Sequence, residues 1–193
     1  MSEHYSYEKK LEYLEIGAQN EDQAMKLLTD TYGGRCFKSY DLQVDKICHT
    51  DFFWETDKGI LCSIDKKMMK QVARKWNGGF SARSTWLELV GNEGYPGSAC
   101  CHAQDLQSFG YPVSKEHDYL MIETPKKMLF IQRYKTEELL TLNIEGKEIV
   151  YKNPRAEYIP YQRKDFGHKD ICMLVPFKDL EKISHFTINI PNQ

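Results

Sequence analysis

Residues 50–67 constrain the fold more than any other stretch. Asp57-Lys58-Gly59 is a tight-turn sequence between two runs, roughly 50–56 and 60–67, that are rich in aromatic, β-branched and apolar residues. Gly59 supplies the positive φ that such a turn needs, so the two runs are expected to fold back as an antiparallel hairpin. A hairpin alone is barely stable in water, and its faces have to be covered by the rest of the chain.

One cover is written just upstream. Over residues 8–31, Leu11, Leu14, Ala18, Met25 and Leu28 recur at helical spacing, with Ala24 and Leu27 alongside. Gly33-Gly34 then ends the helix as a C-cap. A strand is expected over 35–41, a short helix over 68–76 and a strand at Thr85–Val90. Residues 98–109 fit helix or strand equally. Tyr119–Glu123 and Met128–Arg133 read as a hairpin around Thr124-Pro125-Lys126-Lys127, and Thr136–Leu142 as a short helix. Strands near 147–151, 170–175 and 186–190, with a helical turn at Phe177–Ile183, complete the reading. The sum is a mixed α/β domain spanning 1–193: an N-terminal helix packed on a central, largely antiparallel mixed sheet. Its core covers about 8–133, with C-terminal strands and short helices over about 134–193. With 193 residues, 41% of them hydrophobic, the chain can bury a substantial core.

The hairpin also carries the chemistry. Side chains at i and i+2 share a strand face, so Asp65 and Lys67 point together and Lys66 points away. If paired residue numbers across the turn sum to about 115–116, Asp51 lies opposite position 64 or 65, with its Cβ about 5 Å from that of Asp65. Two carboxylates and an ammonium then converge at one end of the sheet. Paired carboxylates suit Mg²⁺ or Mn²⁺, which prefer oxygen ligands, and such a metal serves phosphodiester hydrolysis. A lysine there can orient or deprotonate the attacking water, or stabilise the developing charge. Glu21 falls on the stripe through 14, 18, 25 and 28, where a carboxylate needs a partner or a metal.

This arrangement resembles the PD-(D/E)XK nuclease superfamily, the restriction-endonuclease-like fold that includes small phage enzymes and junction resolvases. Asp51 matches the first acidic residue and Asp65-Lys66-Lys67 the (D/E)XK element, with Thr50 where the signature has proline. Thr85-Trp-Leu-Glu88-Leu, followed by Gly94-Tyr-Pro-Gly97, is similar to a strand of small phage members. The resemblance implies an Mg²⁺- or Mn²⁺-dependent endonuclease acting on nucleic acid, DNA ahead of RNA. Asp51, Asp65 and Glu21 would be metal ligands and Lys67 catalytic. The alternative is a catalytically inactive nucleic-acid-binding or protein-interaction module on the same fold. A homodimer is compatible with either.

Lys66, Lys67, Lys70, Arg74, Lys75 and Arg83 form the densest basic segment, interleaved with Trp76 and Phe80. Lys70, Arg74, Lys75 and Arg83 are the candidate phosphate contacts. Glu88 is a candidate supporting residue for the site. A net charge of −2 argues against a protein that coats nucleic acid non-specifically. Cys100-Cys101-His102 and Cys48-His49 lack the separated pairs of structural zinc sites. A Cys/His dyad through His49, His102 or His168 has no sequence support, and the six histidines read as scattered polar residues. Six cysteines at no scaffold density read as free thiols in a reducing cytoplasm. No apolar run approaches bilayer length and none follows the N-terminus, so neither a membrane span nor a secretory leader is expected.

Overall fold

The computed structural model describes residues 7–38, 44, 47–67, 83–90, 97, 103–151, 156–162 and 170–190, with side chains placed from Ala18 in the first helix and from Leu106 in the second. Its elements are α1 (Tyr7–Tyr32), β1 (Arg35–Lys38), β2 (Phe52–Glu55), β3 (Leu61–Lys67), β4 (Ser84–Val90), α2 (Ala103–Ser108), β5 (Asp118–Glu123), β6 (Lys127–Gln132), α3 (Arg133–Ile144), β7 (Tyr161–Gln162), β8 (Ile171–Pro176), α4 (Phe177–Ile183) and β9 (Phe186–Asn189). The architecture is mixed α/β. Six strands form one sheet in the order β1-β2-β3-β5-β6-β9, and β4-β8-β7 form a second. In the large sheet only the β3–β5 pairing is parallel.

The hairpin has the register that its turn predicts. Phe52 pairs with Ile64 and Trp54 with Cys62, so partner numbers sum to 116. Gly59 sits at φ 74°, and Thr56 N–H donates to the Ile60 carbonyl at 2.9 Å to close the turn. At the end of α1, Gly33 adopts φ 74° and its N–H caps Thr29 O at 2.9 Å. The next residue, Gly34, passes so close to the Glu55 carbonyl that any Cβ would collide with it.

Strand alternation sorts the core onto the two faces of the large sheet. Phe52, Trp54, Cys62, Ile64, Tyr119, Met121 and Phe130 face α1, which meets them with Ala24 and Leu28. Leu120, Ile122, Leu129 and Ile131 face the other way, against Leu87, Met173 and Val175 of the second sheet and Leu140, Phe177 and Leu180 of α3 and α4. Phe53 completes this second face with Val44, Cys48, Leu106 and Val113.

Two expectations change, at Ala18 and at 147–151, and two open points are decided. Ala18 is exposed rather than on the buried stripe, which runs through Ala24 and Leu28. The strand beside β3 is Asp118–Glu123, whereas Ser84–Val90 belongs to the second sheet. The burial patterns show why: β5 is buried at every position, as a strand covered on both faces requires, whereas β4 is only intermittently buried. Residues 147–151 make a single bridge, Val150 to Tyr161, instead of a strand. Residues 103–108 resolve the ambiguity of 98–109 as helix. The helix expected at 68–76 and the part of the first strand beyond Lys38 lie outside the described residues.

Candidate active site

Three of the expected residues meet at one end of β2 and β3. Asp51 precedes β2, next to the last registered pair Phe52–Ile64, and its N–H donates to Ile64 O at 2.9 Å, one residue out of that register. Its Oδ2 accepts the Lys66 N–H at 2.6 Å. Asp65 is 1% exposed, and its Oδ1 lies 2.9 Å from Lys67 Nζ. Lys66 leaves through the opposite face, where its ammonium donates to the Asn20 carbonyl of α1. Period-two alternation thus separates two adjacent lysines by function: one joins the carboxylates, the other fastens a helix.

The electrostatics follow from burial and like charge. Desolvation, then the neighbouring Asp65, push Asp51 up to about 7, against the pull of Lys67 and of the Lys66 N–H. Burial pulls Lys67 down, but Asp65 and Asp51 outweigh it, and the ammonium ends above its ordinary range. Lys67 is therefore a firm cation, suited to orienting and stabilising charge rather than to removing a proton.

Glu21 lies on the other side of the sheet. It is half-buried on α1, and its Oε2 is 3.3 Å from Lys38 Nζ, which also reaches Asp22 at 3.0 Å. Lys38 is the partner that the helix pattern demands of a carboxylate there. The charge of Glu21 still adds to the rise of Asp51, as the smallest contribution. Glu88 comes nearer the centre: its charge raises both Lys67 and His49. It also forms, with Asp170 and Cys172, a trio whose ligand atoms lie within 4.8 Å of one another. Arg83, just before β4, is exposed. Lys70, Arg74 and Lys75 lie outside the described residues, as do Cys100, Cys101, His102 and His168.

Arg133 and Asp118, which sequence reasoning passed over, and His49, weighed there only beside cysteine, adjoin these residues. Arg133, 2% exposed, is clamped where β6 becomes α3. Its Nε is 3.1 Å from Asp118 Oδ1, its Nη1 is 3.6 Å from Asp65 Oδ2, and its Nη2 donates to His49 O at 3.2 Å. Asp118 also accepts the Ser63 hydroxyl at 2.6 Å. Burial pushes the Asp118 carboxyl up, and Arg133 and Ser63 draw it back. His49 is half-buried with a left-handed backbone at φ 47°. Burial lowers its pKa, so the ring is neutral at neutral pH.

The residues present fit a divalent cation. Asp65 Oδ2 is buried without a hydrogen-bond partner, with Arg133 Nη1 3.6 Å away, and burial and the charge of Asp65 hold the neighbouring Asp51 carboxyl up at about 7. Cys36 and Cys62 are free thiols. Burial pushes Cys36 and Cys62 up to about 12, far from the range of a nucleophile. No described helix is long and apolar enough to cross a membrane. Compared with known proteins, the chain matches no family model, no curated protein and no solved structure.

Proposed function

We propose that this protein is a metal-dependent nuclease that hydrolyses phosphodiester bonds, in DNA ahead of RNA, with Asp51, Asp65 and Lys67 at its centre. The observation that carries the reading is the meeting of Asp51 and Asp65 at the end of the hairpin: two carboxylates, one almost fully buried and 2.9 Å from Lys67 Nζ, whose charges both act on that lysine. Like charges this close are costly unless a cation joins them, and oxygen-only donors suit Mg²⁺ or Mn²⁺. The α1-covered sheet, with its β1-β2-β3 meander and a parallel strand next to β3, supports a restriction-endonuclease-like core.

Asp51 and Asp65 would hold the ion, with Glu21 contributing from the α1 side through its charge. Such an ion would supply polarisation of the phosphate and a bound water of lowered pKa. Asp51, held up at about 7, would give up its proton to serve as a ligand. Lys67 stays an ammonium, pairs with Asp65, and offers donors to the attacking water and to the charge that grows on the phosphate. Arg133 fixes Asp65 from behind, and Glu88 adds a second counter-charge for Lys67. Lys70, Arg74, Lys75 and Arg83 would contact flanking phosphates.

The test is cleavage of supercoiled plasmid, branched DNA and structured RNA in Mg²⁺, Mn²⁺ and EDTA. The reading requires cation-dependent cleavage that Asp65→Asn abolishes. Retained binding with no cleavage on any substrate would instead favour a catalytically silent nucleic-acid-binding module.

A further inference from the structure

The three nitrogens of the Arg133 guanidinium face three different parts of the chain. Nε lies 3.1 Å from Asp118 Oδ1 of β5, Nη1 lies 3.6 Å from Asp65 Oδ2 of β3, and Nη2 donates to the His49 carbonyl at 3.2 Å. His49 stands two residues before Asp51, and its backbone is left-handed at φ 47°. At a residue other than glycine that conformation costs free energy and persists only where its surroundings hold it. The bond from Arg133 is such a hold. The root of the guanidinium is itself fixed, because Asp118 also accepts the Ser63 hydroxyl at 2.6 Å. Toward Asp65 the contact is one of charge: Oδ2 makes no hydrogen bond, so its lone pairs are not spent on Arg133. Two ties therefore join Asp51 to the strand of Asp65. The Lys66 N–H grips the carboxylate at 2.6 Å, and Arg133 holds the backbone two residues upstream. The second tie can be cut by changing a side chain.

From this geometry we propose that Arg133 is a positioning residue of the candidate cation site. It sets the separation of Asp51 and Asp65, and thereby makes the site favour a small cation of strict geometry over a larger one. The proposal rests on the reading of those two carboxylates as cation ligands and deepens it. A planar guanidinium holds several partners at fixed mutual angles, whereas a lysine ammonium is a point charge on a flexible stem. Mg²⁺ demands near-ideal octahedral coordination at about 2.0–2.1 Å, whereas Ca²⁺ accepts irregular coordination at about 2.3–2.6 Å. Carboxylates left to drift apart lose more affinity for Mg²⁺ than for Ca²⁺.

The experiment compares full-length wild type, Arg133→Lys and Asp118→Asn. Lysine keeps the positive charge but cannot reach three partners, and Asp118→Asn leaves Arg133 in place while weakening its root. Mg²⁺ and Ca²⁺ are each titrated calorimetrically into the metal-free proteins, below the melting transition of each. Losing a group that orients metal ligands commonly costs 10- to 100-fold in affinity, so Arg133→Lys should bind Mg²⁺ roughly 10- to 100-fold more weakly. Its loss for Ca²⁺ should be smaller, so the ratio of the two Kd values moves toward Ca²⁺. Asp118→Asn should move the ratio the same way by a smaller factor. A residue that only supports the fold would lower the melting temperature and leave the ratio at its wild-type value. An unchanged ratio in Arg133→Lys would therefore overturn the proposal. If that variant does not fold, an unchanged ratio in Asp118→Asn would overturn it. Wild type that binds both ions but cleaves no nucleic acid would sink the hydrolase reading alone, because the ratio still decides the role of Arg133. Wild type that binds neither ion would sink both.

Discussion

Replacing Arg133 with methionine should be the most damaging single change near the site. Methionine keeps much of the length and apolar stem of arginine but removes its charge and donors. Two buried carboxylates then lose their shared cation: Asp118 keeps the Ser63 hydroxyl and Asp65 keeps Lys67. The charge-assisted hydrogen bond to Asp118 is worth about 1.5–3 kcal/mol and the bond to the His49 carbonyl about 1 kcal/mol. Their sum agrees with the roughly 3–5 kcal/mol expected when one partner of a buried ion pair is removed. In a chain of this size, that lowers the melting temperature by roughly 6–20 °C. The stranded carboxylates can escape by taking up protons. Because Asp118, already raised by burial, rises further without Arg133, the stability of the variant is retained at low pH and lost as pH increases, so its deficit should be smaller at pH 5 than at pH 8. Adding Asp118→Asn should recover part of the loss, since only Asp65 of the two carboxylates then faces the methionine. Denaturant unfolding of the four proteins in the double-mutant cycle measures the coupling. An Arg133→Met variant within about 0.5 kcal/mol of wild type would refute the idea that this guanidinium carries the buried charges.

Asp51 gives a second pH signature: its folded pKa of about 7 exceeds the ordinary 3.8, so its contribution is full below 3.8 and lost as pH rises through 7. At about 1.4 kcal/mol per pH unit the loss is about 4 kcal/mol, and partial exposure reduces it to about 2; Asp51→Asn should remove this slope from metal-free melting curves, and parallel curves would contradict it. Lys67→Ala should lower the cleavage rate by about 10²–10³, whereas Lys66→Ala should leave the rate nearly intact and lower the melting temperature through the lost Asn20 anchor. Equal rate losses from the two variants would defeat the division of faces. Neutralising Lys70, Arg74, Lys75 and Arg83 should weaken DNA binding and flatten its log–log salt dependence by about 0.9 per lost duplex phosphate contact, measured by anisotropy across salt concentrations.

The hairpin and its charged end were legible in the sequence because they are local. A turn residue with positive φ sets the register, and period two decides which lysine joins the carboxylates. The helix stripe was less secure, because periodicity alone does not choose between neighbouring faces. Ala18 and Ala24 both extend a line to Leu28, and only the sheet selects Ala24. The placement of Ser84–Val90 was not legible either, since alternation identifies a strand without naming its partner. Arg133 left a faint signal that went unused. Asp118 and Arg133 bracket the second hairpin, and the register that pairs Tyr119 with Gln132 sets them across from each other. His49 left none: its part in the site depends on a guanidinium 84 positions away.

The central claim is that Asp51 and Asp65 jointly bind a divalent cation, and calorimetric titration of Mn²⁺ and Mg²⁺ into the metal-free protein tests it most directly. The account predicts saturable binding near pH 6.5, with release of a proton from Asp51 visible as a dependence of the heat on the buffer's ionisation enthalpy. It predicts that Asp65→Asn abolishes binding and that Asp51→Asn both weakens it and removes the proton release. Absence of binding to the wild-type protein, or equal binding by the wild type and both asparagine variants, would contradict it.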